Sequence, residues 1–221
     1  MNSLHNGLIA QLAPSDQTML LKKAKLVHFE SGEVLGASAA SSQQVFFLVS
    51  GSVALFVCKN LTDISVGLAV GLVGCEGAVG LQFALGMCAG NVTYLVQSPG
   101  SAYVVDSSVL QRLMNRQSTV LMSVSRYLWT VYESVAAMAA MSQSQDVRMR
   151  FAHWLLISYE RCQPDSLVMT HAQVAQMLGV RRASITLVAR ELKMAGVIGY
   201  SRGHIQIHQL AALKRIATGS V

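Results

Sequence analysis

Arg182, Ser184, Thr186, Arg190 and Lys193 fall on one side of a segment whose other side is apolar. Ile185, Val188, Ala189 and Leu192 recur there at i, i+3, i+4 and i+7, the spacing of one buried helical stripe. Guanidinium, hydroxyl and ammonium groups carried on a single helix suit a polyanion with hydrogen-bonding edges. An Arg at the helix start, here Arg182, can donate a bidentate pair to guanine O6 and N7. Ser184, Thr186, Arg190 and Lys193 can reach phosphates or base edges. Arg181, just before, and Leu187, on the same helix, complete the candidate DNA-reading set. The bland alternative is a helical hairpin with a solvated basic face. What favours DNA is the agreement of several independent features around this helix.

Those features are the elements that would position it. Thr170 can cap a preceding short helix whose core side is Val174, Ala175 and Leu178. Gly179 follows where the chain must reverse, and a residue with positive φ is cheapest there. The small Ala175 lets the two helices approach closely, and Gly196 is placed to end the second. Ile198 to Ile207 then alternates apolar and polar around Ser201-Arg202-Gly203-His204, which reads as a hairpin. A hairpin directly after a recognition helix is a wing, with Arg202 at its tip near the DNA backbone. Upstream, Val147 to Cys162 reads as a supporting helix that Asp146 can cap, anchored by Phe151, Trp154, Leu155 and Ile157. The polar run Ser142–Asp146 reads as a hinge.

Charge follows the same division. The 221-residue chain has a net charge of +6, with hydrophobic residues at 52% and charged residues at only 13%. From Met1 to Val147 there are 7 Lys/Arg against 8 Asp/Glu; from Arg148 to Val221 there are 10 against 3. The whole basic excess therefore lies with the helix pair, as expected of one domain that meets a polyanion. Cys58, Cys75, Cys88 and Cys162 show no C-x-x-C spacing and no secretory signal precedes them, so reduced thiols in a cytoplasm are expected. Ile64 to Gly90 carries Glu76 as its only charge after Asp63, but it is Gly-rich and its uncharged run is too short to span a membrane.

The front half reads differently. Met1 to about Lys25 predicts a short helical lead, and Lys25 to about Asp106 predicts strands and turns. Val45 to Val57 reads as two strands around Ser50-Gly51-Ser52, a hairpin; Ser98-Pro99-Gly100 reads as another turn. Short strands with regular turn signals predict an antiparallel barrel or jelly roll. Beyond Asp106 the pattern becomes helical. Leu121, Val124, Leu128, Val131, Val135 and Met138 alternate spacings of three and four, an a/d seam suited to a parallel dimer. The same stripe would also suit a helix lying on its own roll.

A helix-turn-helix plus wing, behind a long helix and a β-rich front half, resembles the family of the cyclic-AMP receptor protein and the fumarate–nitrate regulator. The resemblance covers nearly the whole chain, and LVSGSVALFV is especially similar to a hairpin of that family's effector domain. It implies an α+β fold: an N-terminal antiparallel β-roll over 1–117, a dimerisation helix and hinge over 118–145, and a winged helix-turn-helix over 146–221. It implies a cytoplasmic homodimer on double-stranded DNA, with two inverted half-sites about 34 Å apart, and RNA polymerase as a further partner. This chain departs from the family at its nucleotide pocket. There a Gly-Glu pair holds the ribose and an Arg-Ser/Thr pair holds the phosphate. Here Gly80 is followed by Leu81, Asn91-Val92-Thr93 stands at the Arg position, and no Lys or Arg lies between Lys59 and Arg112. A phosphate in a partly buried pocket needs a cation or several aimed N–H groups, so these residues argue against cyclic AMP and leave another signal to be sensed. With no cysteine before Cys58, the fumarate–nitrate branch's iron–sulfur cluster is not expected. Glu76 reads as a solvated turn carboxylate.

No catalytic order of residues, paired carboxylates or phosphate loop points to an enzyme. His204 and His208 share a strand face, but no third ligand is near in sequence; His5, His28 and His153 are isolated. No metal or cofactor is expected, and the methionines read as core filling. The alternative reading is a small-molecule, haem or redox sensor, with Cys58 or Cys88 as a thiol switch, whose output is a protein contact.

Overall fold

Two long strands form the frame of the front half. In the computed structural model, which describes residues 6–36, 43–57, 67–88, 90–162, 167–201 and 203–219, β3 (Gln44–Val57) pairs antiparallel with β6 (Val92–Asp106) along nearly their whole length. The expected hairpin at Ser50-Gly51-Ser52 is therefore not there. The chain bends at that point and continues in the same strand. β6 likewise runs through Ser98-Pro99-Gly100 without reversing. The reason is a shared bend: the β3–β6 register shifts between Leu48 and Val53, as bulges do when a sheet must coil. Gly51 has φ +76, and a Cβ there would lie 2.6 Å from the carbonyl oxygens of Ser98 and Pro99. A Cβ on Gly100 would lie 2.2 Å from Ser50 O. Glycine and proline punctuate both strands because the two backbones press together where they curve.

Around this pair, β1 (Lys25–Phe29) and β2 (Val34–Leu35) add to β6, while β4 (Leu68–Val73) and β5 (Ala78–Val79) add to β3; the main path is β1-β6-β3-β4. The period-2 alternation of β3 serves three cores. Phe46, Leu48, Val53 and Leu55 point into the roll. Val45 and Phe47 point outward under the lead helices, α1 (Gly7–Ala10) and α2 (Pro14–Leu21). Beyond the bend, Ala54 and Phe56 face the C-terminal part of the chain. The lead is pinned by Asn6, which is fully buried: its Nδ2 donates to Leu48 O and Gly77 O at 2.8 and 2.7 Å.

A short α3 (Leu81–Ala84) links β5 to β6, and α4 (Ser107–Arg116) leads into α5 (Ser118–Ser144), a 27-residue helix. Its a/d seam turns inward. Val124 is 2% exposed within the roll's outer core, and Leu128 packs against the same cluster. Val131 packs on the roll interior, Val135 comes against Gly71, and Met138 packs on the C-terminal core. Of the six residues expected at a dimer seam, Leu121 alone is exposed, at 40%. This helix carries two apolar stripes of the same period, and the stripe read from sequence is the one its own roll uses. The outward stripe carries Met122, Trp129 and Tyr132, with Trp129 and Tyr132 each 61% exposed and their rings 5.2 Å apart.

The helix persists to Ser144, so the break is shorter than the hinge expected over Ser142–Asp146. Asp146 Oδ1 accepts from Met149 N at 2.8 Å and caps α6 (Val147–Cys162) as anticipated. The remainder is β7 (Leu167–Val168), α7 (His171–Leu178), α8 (Arg182–Met194), β8 (Ile198–Ser201), β9 (His204–Ile207) and α9 (Leu210–Thr218), the three strands in the order β7-β9-β8. Phe151, Trp154 and Leu155 of α6 are fully buried in one cluster with Ala54, Phe56, Ala69 and Leu72 of the roll. Among the described residues no helix is long and apolar enough to cross a membrane.

The shared bend yields a graded expectation. Gly51→Ala should cost about 2–4 kcal/mol, since strain at positive φ adds to a backbone clash. Gly32→Ala, at φ +90 with nothing within 4 Å of the added Cβ, should cost only about 1–2 kcal/mol. Urea unfolding midpoints of the two variants check this ordering.

Candidate nucleic-acid interface

The first helix of the pair is locally well specified. Thr170 Oγ1 accepts from Gln173 N at 3.2 Å, and Gln173 Oε1 accepts from Thr170 N at 2.8 Å, a complete capping box for α7. Gly179 ends it with φ +63. A Cβ at Gly179 would also meet Leu68 Cδ1 of β4 at 2.9 Å, so the turn glycine serves both the left-handed backbone and a close approach by the roll. Gly196, at φ +69, follows the end of α8 as expected.

The second helix, α8, separates its two faces cleanly. Ile185 and Leu192 are fully buried, Ala189 is 2% exposed and Val188 7%. Arg181, Arg182, Thr186, Leu187, Arg190 and Lys193 are exposed on the opposite side, Leu187 at 59%. Arg181 is the N-cap in extended conformation and its side chain makes no capping bond. Ser184 is half-buried and turns toward the edge of this face. Lys193 is committed elsewhere: its Nζ donates to Tyr200 O at 3.2 Å and ties α8 to the wing strand. The expected wing is present, with Ser201 opposite His204 in an antiparallel register. Arg202 lies outside the described residues, as do Cys58 and His5.

His171 was not singled out by the sequence. It opens α7, stacks on Tyr200 with ring centroids 4.2 Å apart, and its Nδ1 lies 3.1 Å from Thr186 Oγ1. Thr186 Oγ1 donates its own proton to Arg182 O at 3.0 Å, so Nδ1–H is the donor to it and Nε2 carries the lone pair. Nε2 is buried, with no partner among the described residues. His171, Thr186 and Tyr200 thus join α7, α8 and the wing, and their separation of 15 and 29 positions left no periodic signal.

A second set of contacts ties this part of the chain to the roll. Glu76 pairs with Arg161 of α6 and also accepts from Gly74 N at 3.1 and 3.0 Å. It is therefore an ion-paired link rather than the solvated turn carboxylate expected from sequence. Gln97 Nε2 of β6 donates to Ser158 Oγ of α6 at 3.0 Å in the buried seam. On the roll itself, Leu81 is 3% exposed at the position following Gly80, while Tyr94 Oη donates to Gln82 Oε1 at 2.7 Å. Cys75 is half-buried with Sγ 3.2 Å from Val49 O; burial, then Glu76, pushes its thiol pKa up. Cys88 is a free, exposed thiol. Among the described residues no three His, Cys, Asp or Glu side chains converge to hold a metal ion.

Burial first, and Arg182 second, hold the His171 pKa below the usual histidine value. Protonation would put an N–H at the buried Nε2 and a charge beside Arg182. A folded pKa below the unfolded one means that the linked stability is fully present above the unfolded pKa of about 6.5 and is lost as pH falls. The melting temperature should therefore drop between about pH 7 and 5.5, and His171→Phe, which keeps the stack, should flatten part of that drop. An unchanged slope in thermal melts of the variant would contradict this placement of the proton.

Residues 149–216 match the family described as Crp-like helix-turn-helix domain. No curated protein sequence matches the chain. Among solved structures it is similar to a protein from Eubacterium rectale described as a transcriptional regulator of the crp/fnr family, at 16% identity and TM-score 0.72, covering 98% of this chain and 100% of that one. It is also similar to a CRP-family transcriptional regulator from Thermus thermophilus, at 20% identity and TM-score 0.69 over 87% of this chain and 96% of that one. A third is the c-di-GMP-responsive global regulator of Xanthomonas campestris, at 14% identity and TM-score 0.68 over 88% and 99%. The chain thus carries a Crp-like helix-turn-helix domain within the overall fold of crp/fnr-type regulators.

Proposed function

We propose that this chain is a sequence-specific DNA-binding transcription regulator that works as a homodimer, with a roll that responds to something other than cyclic AMP. The observation that carries the reading is the open face of α8. Arg181, Arg182, Thr186, Leu187 and Arg190 stand exposed side by side on a helix whose other face is locked into the core. That helix belongs to the part of the chain where the basic excess sits. Such a helix can enter the major groove, with Arg182 on a guanine edge and Leu187 against a thymine methyl. Ser184 belongs at the margin of the contact, and Arg202 in the wing contributes to the backbone. Residues 146–221 are read as the DNA-binding unit, 1–117 as the effector unit and 118–145 as the dimer helix.

The dimer reading rests on the outward stripe of α5, not on the stripe named from sequence. Met122, Trp129, Tyr132, Ala136 and Ala139 are exposed and fall on a coiled-coil spacing. Two large aromatics at 61% exposure on one helix are a costly surface to leave in water. A second copy of the helix is the occupant that the family fold provides. The reading against cyclic AMP rests on the buried Leu81 and on Asn91, which offer neither a carboxylate to a ribose nor a cation to a phosphate. A cytoplasmic location and a contact with RNA polymerase complete the reading. It assigns no catalytic role, in keeping with the regulators that the fold resembles.

The DNA reading is tested with a selected operator and each single-base change of it, at two salt concentrations. Arg182→Ala should lose about 1–3 kcal/mol and relax preference at one base pair per half-site. Arg202→Ala should weaken all sequences alike and flatten the salt dependence. Equal losses on every sequence for Arg182→Ala would make it a phosphate contact. The dimer reading is tested by sedimentation: Trp129→Glu with Tyr132→Glu should give folded monomers, because the two carboxylates would be buried unpaired at the seam. Leu128→Glu with Val135→Glu should instead unfold the roll. A normal dimer from the Trp129/Tyr132 variant would remove α5 from the interface.

A further inference from the structure

A cavity of about 430 Å³ lies between the roll and the inner face of α5. Its walls are apolar, with Val73 and Val79 on the roll side and Leu128 and Val131 on the helix side. Among the described residues, no Lys, Arg, Asp, Glu or His lines it, and the sequence between Lys59 and Arg112 contains no Lys or Arg. It opens to solvent on the side of Val57, Met87 and Val92, which are 40%, 62% and 40% exposed, and its volume lies in the size range of small-molecule clefts.

Polar groups break the apolar lining at three places: the Cys88 thiol, Tyr127, whose Oη donates to Ala78 O at 3.3 Å, and the Tyr94–Gln82 pair. Tyr94 Oη donates to Gln82 Oε1 at 2.7 Å, and both residues face the cavity. Burial pushes the Tyr94 pKa up, so its phenol remains a neutral donor. Because Gln82 Oε1 accepts from Tyr94, the Gln82 amide hydrogens remain available to a guest. The Gln82 amide can therefore satisfy a hydrogen-bond acceptor on an otherwise apolar molecule, and the described residues of the wall carry no charge to balance a negative one.

We infer that this cavity binds an uncharged, mainly apolar small molecule bearing a single hydroxyl or carbonyl oxygen, which Gln82 holds by its amide. The inference deepens the effector reading above and rests on it for its biological role. The guest would touch Leu128 and Val131, on the helix whose opposite stripe carries Trp129 and Tyr132. Occupancy thus acts on the position of α5.

The test uses the full chain without DNA, so its failure is distinct from failure of the DNA reading. N-phenyl-1-naphthylamine is neutral; its sulfonated counterpart, 8-anilinonaphthalene-1-sulfonate, has the same ring system with a negative charge. The neutral dye should bind at one per protomer, at least about tenfold tighter than the sulfonate, and cyclic AMP should not displace it. Val131→Trp should abolish that binding while leaving the melting temperature close to the parent's. Gln82→Leu gives an independent readout by displacement of the dye. It should weaken 2-naphthol roughly fivefold, as expected for one lost hydrogen bond, and leave naphthalene unchanged. Equal affinity for the two dyes, dye binding that survives Val131→Trp, or equal effects of Gln82→Leu on naphthalene and 2-naphthol would each overturn the inference.

Discussion

The direction in which α8 points depends on one apolar seam. Ala54, Phe56, Ala69 and Leu72 of the roll share a core with Phe151, Trp154 and Leu155 of α6. Fully burying a Phe or Leu side chain such as Phe56, Leu72, Phe151 or Leu155 is worth roughly 1.5–3 kcal/mol. The Glu76–Arg161 pair crosses the same boundary, but its side chains are 34% and 26% exposed, and ion pairs so open to water contribute about 1 kcal/mol or less. The apolar contact therefore holds the two parts together, while the ion pair and the Gln97–Ser158 bond select one register within it. The approach of Leu68 to Gly179 carries this constraint to the turn between α7 and α8.

The long helix α5 meets three demands at once. Its inner stripe closes the roll, its outer stripe exposes aromatics, and its C-terminal end feeds α6 after a two-residue break. The apolar cavity lies under the middle of its inner stripe. A guest there would change what Leu128 and Val131 touch, and this helix connects that contact to the outward stripe and to α6. In the proposed reading, a signal becomes a change in the geometry of two recognition helices because α5 is common to the cavity, the dimer contact and the hinge.

Sequence reasoning succeeded where local rules decide structure. The Thr170 cap, Gly179, Gly196, the stripe from Ile185 to Leu192 and the Asp146 cap are set by neighbours within a turn or two. It failed where the deciding partner is distant. Gly51 and Gly100 look like turn residues, yet each is small because the opposite strand's backbone presses on it. The stripe from Leu121 to Met138 has a helical period, but spacing alone does not say that all of it except Leu121 packs toward its own chain. Glu76 gained its partner from a helix 85 positions away. His171 found Thr186 and Tyr200 only through tertiary packing. Of the candidate DNA-reading residues, Ser184 is half-buried and Lys193 Nζ is bonded to Tyr200 O, two features that spacing within the helix does not reveal.

The central claim is that two copies of this chain present two α8 helices to one DNA duplex. The direct measurement is selection of bound duplexes from a random-sequence library by the full chain, followed by footprinting of the enriched sites. The account predicts an inverted repeat whose half-sites lie one helical turn apart, about 34 Å, protected together. Recovery of no enriched sequence, or of a single unpaired site that one protomer protects alone, would contradict it.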